Sequence, residues 1–147
     1  MTDEQRLSSE DRRITAMAFE HPVHHITLTV TNLRRSTTWY CDVLQGQLLV
    51  ERVGEGFRRS LIRLPCGLVI GLTQHVNTQA DDRFDPRRVG LDHLSLAVPT
   101  AEDVNAWAAK WDDHGIDHDP VVAAASGTLV VCYDPDGIPV EIYSPTT

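Results

Sequence analysis

Three residues of this chain have the types and spacing to hold a metal ion: His25, His93 and Glu141. The two histidines occupy equivalent places in a pair of similar segments, residues 23–45 (VHHITLTVTNLRRSTTWYCDVLQ) and 91–113 (LDHLSLAVPTAEDVNAWAAKWDD). Laying one segment on the other also matches Leu28 with Leu96, Val30 with Val98 and Trp39 with Trp107. Glu141 lies in PDGIPVEIYSP, and the corresponding stretch of the first copy reads PCGLVIGLTQH. Aligning Gly67 with Gly137 places Gly71 where Glu141 stands. Two imidazoles and one carboxylate are donors suited to Fe(II), Mn(II), Zn(II), Ni(II) or Co(II), and three protein donors leave positions open on the ion. One divalent ion per site is the expectation.

The elements that must position these donors follow from periodicity. Ile26, Leu28 and Val30 alternate with His25, Thr27 and Thr29, and Leu94, Leu96 and Val98 alternate with His93, Ser95 and Ala97. Each run reads as a strand with one apolar face for helices and one polar face that begins with a histidine. Glu141 sits between the apolar Val140 and Ile142, so it too faces away from the helices. All three donors are expected on one concave sheet surface if the two copies pack with pseudo-twofold symmetry.

A helix follows each of these strands. Asn32 and Thr100 are the expected N-caps, with Asp103 completing a capping box after Thr100. Val104, Trp107, Ala108 and Trp111 recur at helical spacing, so the tryptophans read as core. Gly46 and Gly115 are the expected helix stops. Strands are expected at 47–53, 57–64 and 67–74, and again at 116–122, 128–133 and 138–143, with Asp134-Pro135-Asp136-Gly137 as a turn. The predicted fold class is therefore α+β, two βαβββ modules in tandem forming a curved mixed sheet around a metal or ligand cavity. Residues 1–21 read as a flexible leader and 22–145 as the domain, with module one at 22–75, a polar linker at 76–89 and module two at 90–145.

Other residues could assist. Tyr133, Tyr143 and His75 are candidates for proton transfer. His24 has the opposite strand parity to His25 and is not the expected ligand; His21, His114 and His118 read as surface. Arg58, Arg59 and Arg63 crowd the middle strands, and the fork of Arg63 could clamp an anionic substrate.

Composition bounds the partners. The chain has 147 residues, with 21 acidic against 13 basic and a formal charge of -8, which argues against nucleic acid and anionic membrane surfaces. No apolar run is long enough to span a bilayer. Three cysteines without CxxC spacing suit reduced thiols in a cytoplasmic protein better than a disulfide scaffold. There is no P-loop, GxGxxG or GxSxG motif to suggest phosphate-loop, dinucleotide or serine-hydrolase chemistry.

HHITLTVTNLRRSTTWYCDVL, GLDHLSLAV and YDPDGIPVEIYSP together resemble the vicinal-oxygen-chelate superfamily of glyoxalases, bleomycin-resistance proteins and extradiol dioxygenases, over about residues 22–145. The resemblance implies ligand positions at His25, Gly71, His93 and Glu141. Gly71 has no side chain to offer, which disfavours glyoxalase I and methylmalonyl-CoA epimerase activity. The remaining two-His, one-Glu set is similar to that of type I extradiol dioxygenases, which use Fe(II), so Fe(II) is the favoured ion and an extradiol-type dioxygenase the favoured function. The chain departs from the dioxygenase signature at Val131, where a Tyr is sought, and at Ala123, Ala124 and Ala125, where a His is sought. The alternatives are a glyoxalase-like lyase or isomerase, and a metal-free small-molecule binding or resistance protein. The expected partner is a small substrate that chelates through adjacent oxygens, and the resemblance implies a homodimer.

Overall fold

The structure is a computed structural model that describes residues 23–146; the leader expected at 1–21 lies outside the described residues. The order of elements is β1 (His25–Thr29), α1 (Leu33–Val43), β2 (Gln47–Gly54), β3 (Phe57–Arg63), β4 (Val69–His75), β5 (Leu94–Ala97), α2 (Ala101–Asp113), β6 (Val122–Ala124), β7 (Gly127–Tyr133) and β8 (Pro139–Pro145). This is the βαβββ pattern twice over. Each module forms its own four-stranded mixed sheet, ordered β1-β4-β3-β2 in one and β5-β8-β7-β6 in the other. In both, the first strand pairs parallel with the last, and the remaining pairings are antiparallel.

Register reproduces the repeat residue by residue. Gly71 is flanked by Thr27 on β1 and Leu61 on β3. Glu141 is flanked by Ser95 on β5 and Val131 on β7. Thr27 and Gly71 in one module therefore occupy the places of Ser95 and Glu141 in the other.

Helix packing fixes which sheet face is which. Leu33, Ser36, Thr37, Tyr40 and Val43 form the buried stripe of α1, and the Thr37 hydroxyl donates to Ser60 Oγ at 2.9 Å. Ser60, Ile62, Ile70 and Leu72 are buried on that side. In module two Val104, Ala108 and Trp111 of α2 join a core that includes Val130, Val140 and Ile142. The tryptophans are core, as their spacing implies: Trp111 is buried and Trp39 and Trp107 pack half-buried against it or its neighbours. Asn32 caps α1 by accepting from Arg35 N, and Thr100 with Asp103 forms the full capping box of α2, a device worth about 1 kcal/mol.

Three local expectations change. The strand placed at 116–122 is a three-residue β6 at Val122–Ala124, preceded by a single bridge from His118 to Cys132. Pro120 lacks the N–H a ladder needs and separates the two. Gly46 is not the left-handed residue that ends α1; Gln45 is, at φ 58°. Gly46 is required for close approach, since a Cβ there would meet Ile62 Cγ2 and the Tyr40 carbonyl oxygen at 3.0 Å or less. Gly115, at φ 66°, does end α2. His118, read as surface, packs its ring half-buried against Trp111, with centroids 5.8 Å apart.

The modules are fastened by the turn at 134–137. Asp136 accepts from Thr31 N at 2.8 Å, from the Thr31 hydroxyl, and from Arg35 Nη2 at 2.8 Å. Its carboxylate thus sits just before the N-terminus of α1, where the helix dipole favours negative charge. Asp134, beside it, accepts from the amides of Asp136 and Ile138 and from the hydroxyl of Tyr40. Burial raises the carboxyl of Asp134 above its ordinary value and, with Asp134 close by, raises the phenol of Tyr40 as well.

Candidate metal centre

His93 immediately precedes β5, and Glu141 projects from the middle of β8, the next strand. Alternation on β8 turns Val140 and Ile142 into the core and Glu141 to the other face. His93 Nε2 lies 4.0 Å from Glu141 Oε1. Donors that share one ion stand about 2.0–2.2 Å from it, so they can be no more than about 4.4 Å apart. The separation fits a common ion.

Neighbouring groups hold both donors. His93 Nδ1 lies 2.6 Å from the Asp92 carboxylate, which can only accept from it; in the neutral ring this puts the lone pair on Nε2, the nitrogen on the Glu141 side. That is the carboxylate–histidine arrangement common behind metal-binding imidazoles. The Ser95 hydroxyl donates to Glu141 Oε1 at 2.6 Å. The Glu141 side chain is only 15% exposed, and this hydroxyl is the hydrogen bond it receives among the described residues.

His25 stands elsewhere, at the start of β1 in the other sheet. One of the His24 and His25 Nδ1 atoms donates to the other at 2.7 Å, and their rings meet edge to face. His24 precedes β1, and its ring lies against that of His25 rather than on the opposite face that strand parity implied. A groove of about 460 Å³ beside this pair is lined by His24, Arg63, Cys66 and Val69, among others. Among the described residues, no three His, Cys, Asp or Glu side chains of one chain gather into a ligand set. The structure therefore brings together two of the three sequence-derived donors; β1, which begins with His25, and β5, which His93 precedes, are edge strands of separate sheets.

Of the residues considered for proton transfer, Tyr133 and Tyr143 share the Glu141 face by strand parity, Tyr133 through its pairing with Pro139. The Tyr133 hydroxyl donates to Asp119 Oδ2 at 2.7 Å, and that hydrogen bond, with some burial, raises its pKa above the ordinary phenol value. The Tyr143 hydroxyl is engaged with the Ser126 carbonyl. His75 closes β4 in the other module, exposed, with its ring 6.4 Å from that of Phe57. Val131 occupies the position beside Glu141 on β7. The sequence reading did not single out Asp92, Ser95 or Asp119. Asp92 had a signal, a carboxylate next to a candidate ligand; Asp119 had none, because its reach to Tyr133 depends on the bridge that brings 118 to 132.

The cysteines are free: Cys132 is buried and its thiol pushed up to about 12 by desolvation, Cys41 is half-buried and Cys66 exposed. A cleft of about 470 Å³ between the ends of the two helices, lined by Asp42, Lys110 and Trp111 among others, contains none of the candidate ligands.

The family model described as Glyoxalase/Bleomycin resistance protein/Dioxygenase superfamily matches residues 23–142. The chain belongs to that superfamily. A glyoxylase/bleomycin resistance protein/dioxygenase domain from Frankia sp. EAN1pec is 31% identical, covers 86% of this chain and 93% of its own, and superposes with a TM-score of 0.79. FosX from Listeria monocytogenes, a fosfomycin resistance protein solved with Mn(II) and sulfate, shares the fold at 17% identity and a TM-score of 0.63, over 88% of this chain and 95% of its own. Among curated proteins of Escherichia coli K12, YaeR is 28% identical over 82% of this chain and 94% of its own length. YibJ is 34% identical over 50% of this chain, and the match spans only 32% of YibJ. Membership accounts for the tandem βαβββ modules and their matching registers. No helix among the described residues of this superfamily member is long and apolar enough to cross a membrane.

Proposed function

We propose that this superfamily member is a metal-dependent enzyme whose site is completed by a second copy of the chain, with His93 and Glu141 from one protomer and His25 from its partner. The observation that carries this reading is the approach of His93 Nε2 to Glu141 Oε1 at 4.0 Å, with Asp92 and Ser95 holding each donor from behind. The separation of His25 from that pair, on an edge strand of the other sheet, supports the sharing. An exposed strand edge is a natural surface for a second chain to cover.

A divalent ion held there would polarise two adjacent oxygens of a chelating substrate. The protein's own groups do the rest. Asp92 keeps the proton of His93 on Nδ1. Ser95 fixes the carboxylate orientation of Glu141. Tyr133, whose hydroxyl donates to Asp119 and is raised in pKa by it, is the first candidate for proton transfer, with Tyr143 and His75 as the others.

Gly71 favours ring-cleaving oxygen chemistry with Fe(II) over a glyoxalase-type lyase or isomerase. It leaves the second-module position of Glu141 without a counterpart in the first, so only three side chains are available and room remains for both substrate and O₂. The test is metal analysis of anaerobically purified protein, followed by oxygen uptake with a panel of catechols. Stoichiometric iron and catechol-dependent uptake are expected. Stoichiometric metal without uptake would move the reading to a lyase or isomerase, and failure of the wild-type chain to retain any divalent ion would leave a metal-free binding protein.

A further inference from the structure

Arg52 and Arg59 face each other directly across β2 and β3 as Cα partners, on the sheet face turned away from α1. Antiparallel partners project to the same side. Ser60 and Ile62, the neighbours of Arg59 with opposite parity, are buried against the helix. Like charges set opposite each other in a sheet repel. Among the described residues neither arginine has a carboxylate partner, whereas Arg35, Arg87 and Arg88 do. Glu51, next to Arg52, pairs with Ser60 and so has the other parity.

Arg59 is also held in place. Its Nε donates to Thr73 Oγ1 at 2.8 Å, Thr73 is buried, and the guanidinium carbon lies 4.9 Å from the centroid of the Phe57 ring. With Nε engaged and one face on the aromatic ring, the terminal Nη atoms remain for a planar acceptor. Thr73 pairs with Thr29 of β1, on the same face as His25 and Thr27. Two strand spacings separate β3 from β1, about 10 Å, which is within the span of a small substrate and an extended arginine.

We propose that Arg52 and Arg59 form an anion-recognition site on the substrate-receiving face of module one, and that the substrate carries an oxyanion, a carboxylate or phosphoryl group, in addition to its chelating oxygens. This deepens the reading above and rests on it for the word substrate, but anion binding itself needs no metal. Arg63 lies on the same face, opposite Gln47 rather than a second cation, and lines the groove at His24.

The experiment is thermal melting and titration calorimetry of the full chain in EDTA, at constant ionic strength set with chloride, with inorganic phosphate and acetate as separate probes. A ligand that binds the native chain and not the unfolded one raises the melting temperature with its concentration. The wild type should melt higher with at least one probe, and the stronger arm tells a phosphoryl from a carboxylate handle. Arg52→Gln and Arg59→Gln should each weaken that binding about tenfold or more, and Arg58→Gln, of opposite parity, should not. Arg52→Gln should also melt at or above the wild type in chloride alone, because it relieves the repulsion. No response of the wild type to either probe overturns the proposal, as does a response that survives in both Arg52→Gln and Arg59→Gln or is lost equally in Arg58→Gln. Working in EDTA keeps the two readings apart: anion binding measured there needs no ion, and only the metal content of the anaerobically purified protein bears on the metal reading.

Discussion

The Ser95 hydroxyl lies 2.6 Å from Glu141 Oε1 and donates to it across the parallel pairing of β5 and β8. The bond restrains a mostly buried carboxylate in the one orientation that also faces His93. Removing it frees the side chain to rotate and leaves the imidazole with a less ordered partner. Ser95→Ala and Asp92→Ala should each lower affinity for a divalent ion about 10–100-fold, the usual effect of losing a group that supports a ligand, while the melting temperature of the metal-free protein changes little. Calorimetric titration with Zn(II) and Mn(II) measures it. Unaltered affinity in both variants would mean that the pair does not hold the ion.

Sharing of the site between two copies makes a distinctive prediction. His25→Ala and Glu141→Gln should each retain little metal as pure proteins. Refolded together, mixed dimers would place both defects in one site and none in the other, so about a quarter of all sites should recover as random pairing requires. Metal content of the mixed sample reads this directly. If each chain built its own site, every site would carry one defect and nothing would be regained.

Asp134 predicts a pH dependence of stability. Burial raises its carboxyl above the ordinary value near 3.8, against the opposing hydrogen bonds from Ile138 N and Asp136 N. An acid whose folded pKa is raised binds its proton more tightly in the native state. Its stabilising contribution is therefore complete below about pH 3.8 and is lost as pH rises through the raised value. Asn at 134 keeps an oxygen for the two amides and never ionises. The stability of Asp134→Asn relative to the wild type should accordingly improve between pH 4 and pH 7, measured by urea unfolding at each pH. A gap that stays constant or moves the other way would show that the carboxylate is better compensated than its burial implies.

Much of this arrangement was legible in the chain. Period-two alternation around His25, His93 and Glu141 was enough to put each on the face away from the helices, and the repeat alone fixed the equivalence of Gly71 and Glu141, which the ladders reproduce. The capping box at Thr100 follows from local chemistry and is present. Elements set by long-range contacts were not legible. Whether His25 meets His93 depends on how two sheets are placed, and no local pattern specifies that. Gly46 looked like a helix stop because glycine after a helix usually is one; only the packing of Ile62 shows that its missing Cβ answers a crowding problem. The docking of Asp136 before α1 likewise joins residues 105 positions apart. The turn motif foretold the bend without its partner.

The two modules differ at one matched pair of positions. In module two Ser95 stands beside Glu141; in module one Thr27 stands beside Gly71. A Cβ built on Gly71 would meet Thr27 Oγ1 at 2.7 Å and Thr27 Cγ2 at 3.3 Å, with Leu61 Cδ2 at 3.4 Å. The threonine is stiff about χ1, so it yields poorly. Gly71→Glu alone should therefore destabilise the protein by roughly 1–3 kcal/mol through overpacking. Serine has no Cγ2, and its hydroxyl can turn toward a carboxylate as Ser95 does. Thr27→Ser with Gly71→Glu recreates the second-module pair and should recover most of that loss. If Gly71 marks an open position at the metal, the double variant should also bind Zn(II) or Ni(II) more tightly than the wild type and lose any activity that needs the position vacant. The native protein should turn over the hemithioacetal of methylglyoxal negligibly, since it lacks the second carboxylate. Urea unfolding, calorimetric metal titration and a hemithioacetal assay on the three proteins test these points separately. Robust native turnover would show that another group supplies the carboxylate's role. A double variant that regains stability without any change in metal affinity would show that Gly71 faces Thr27 for packing alone, and that the ion, where bound, lies out of its reach.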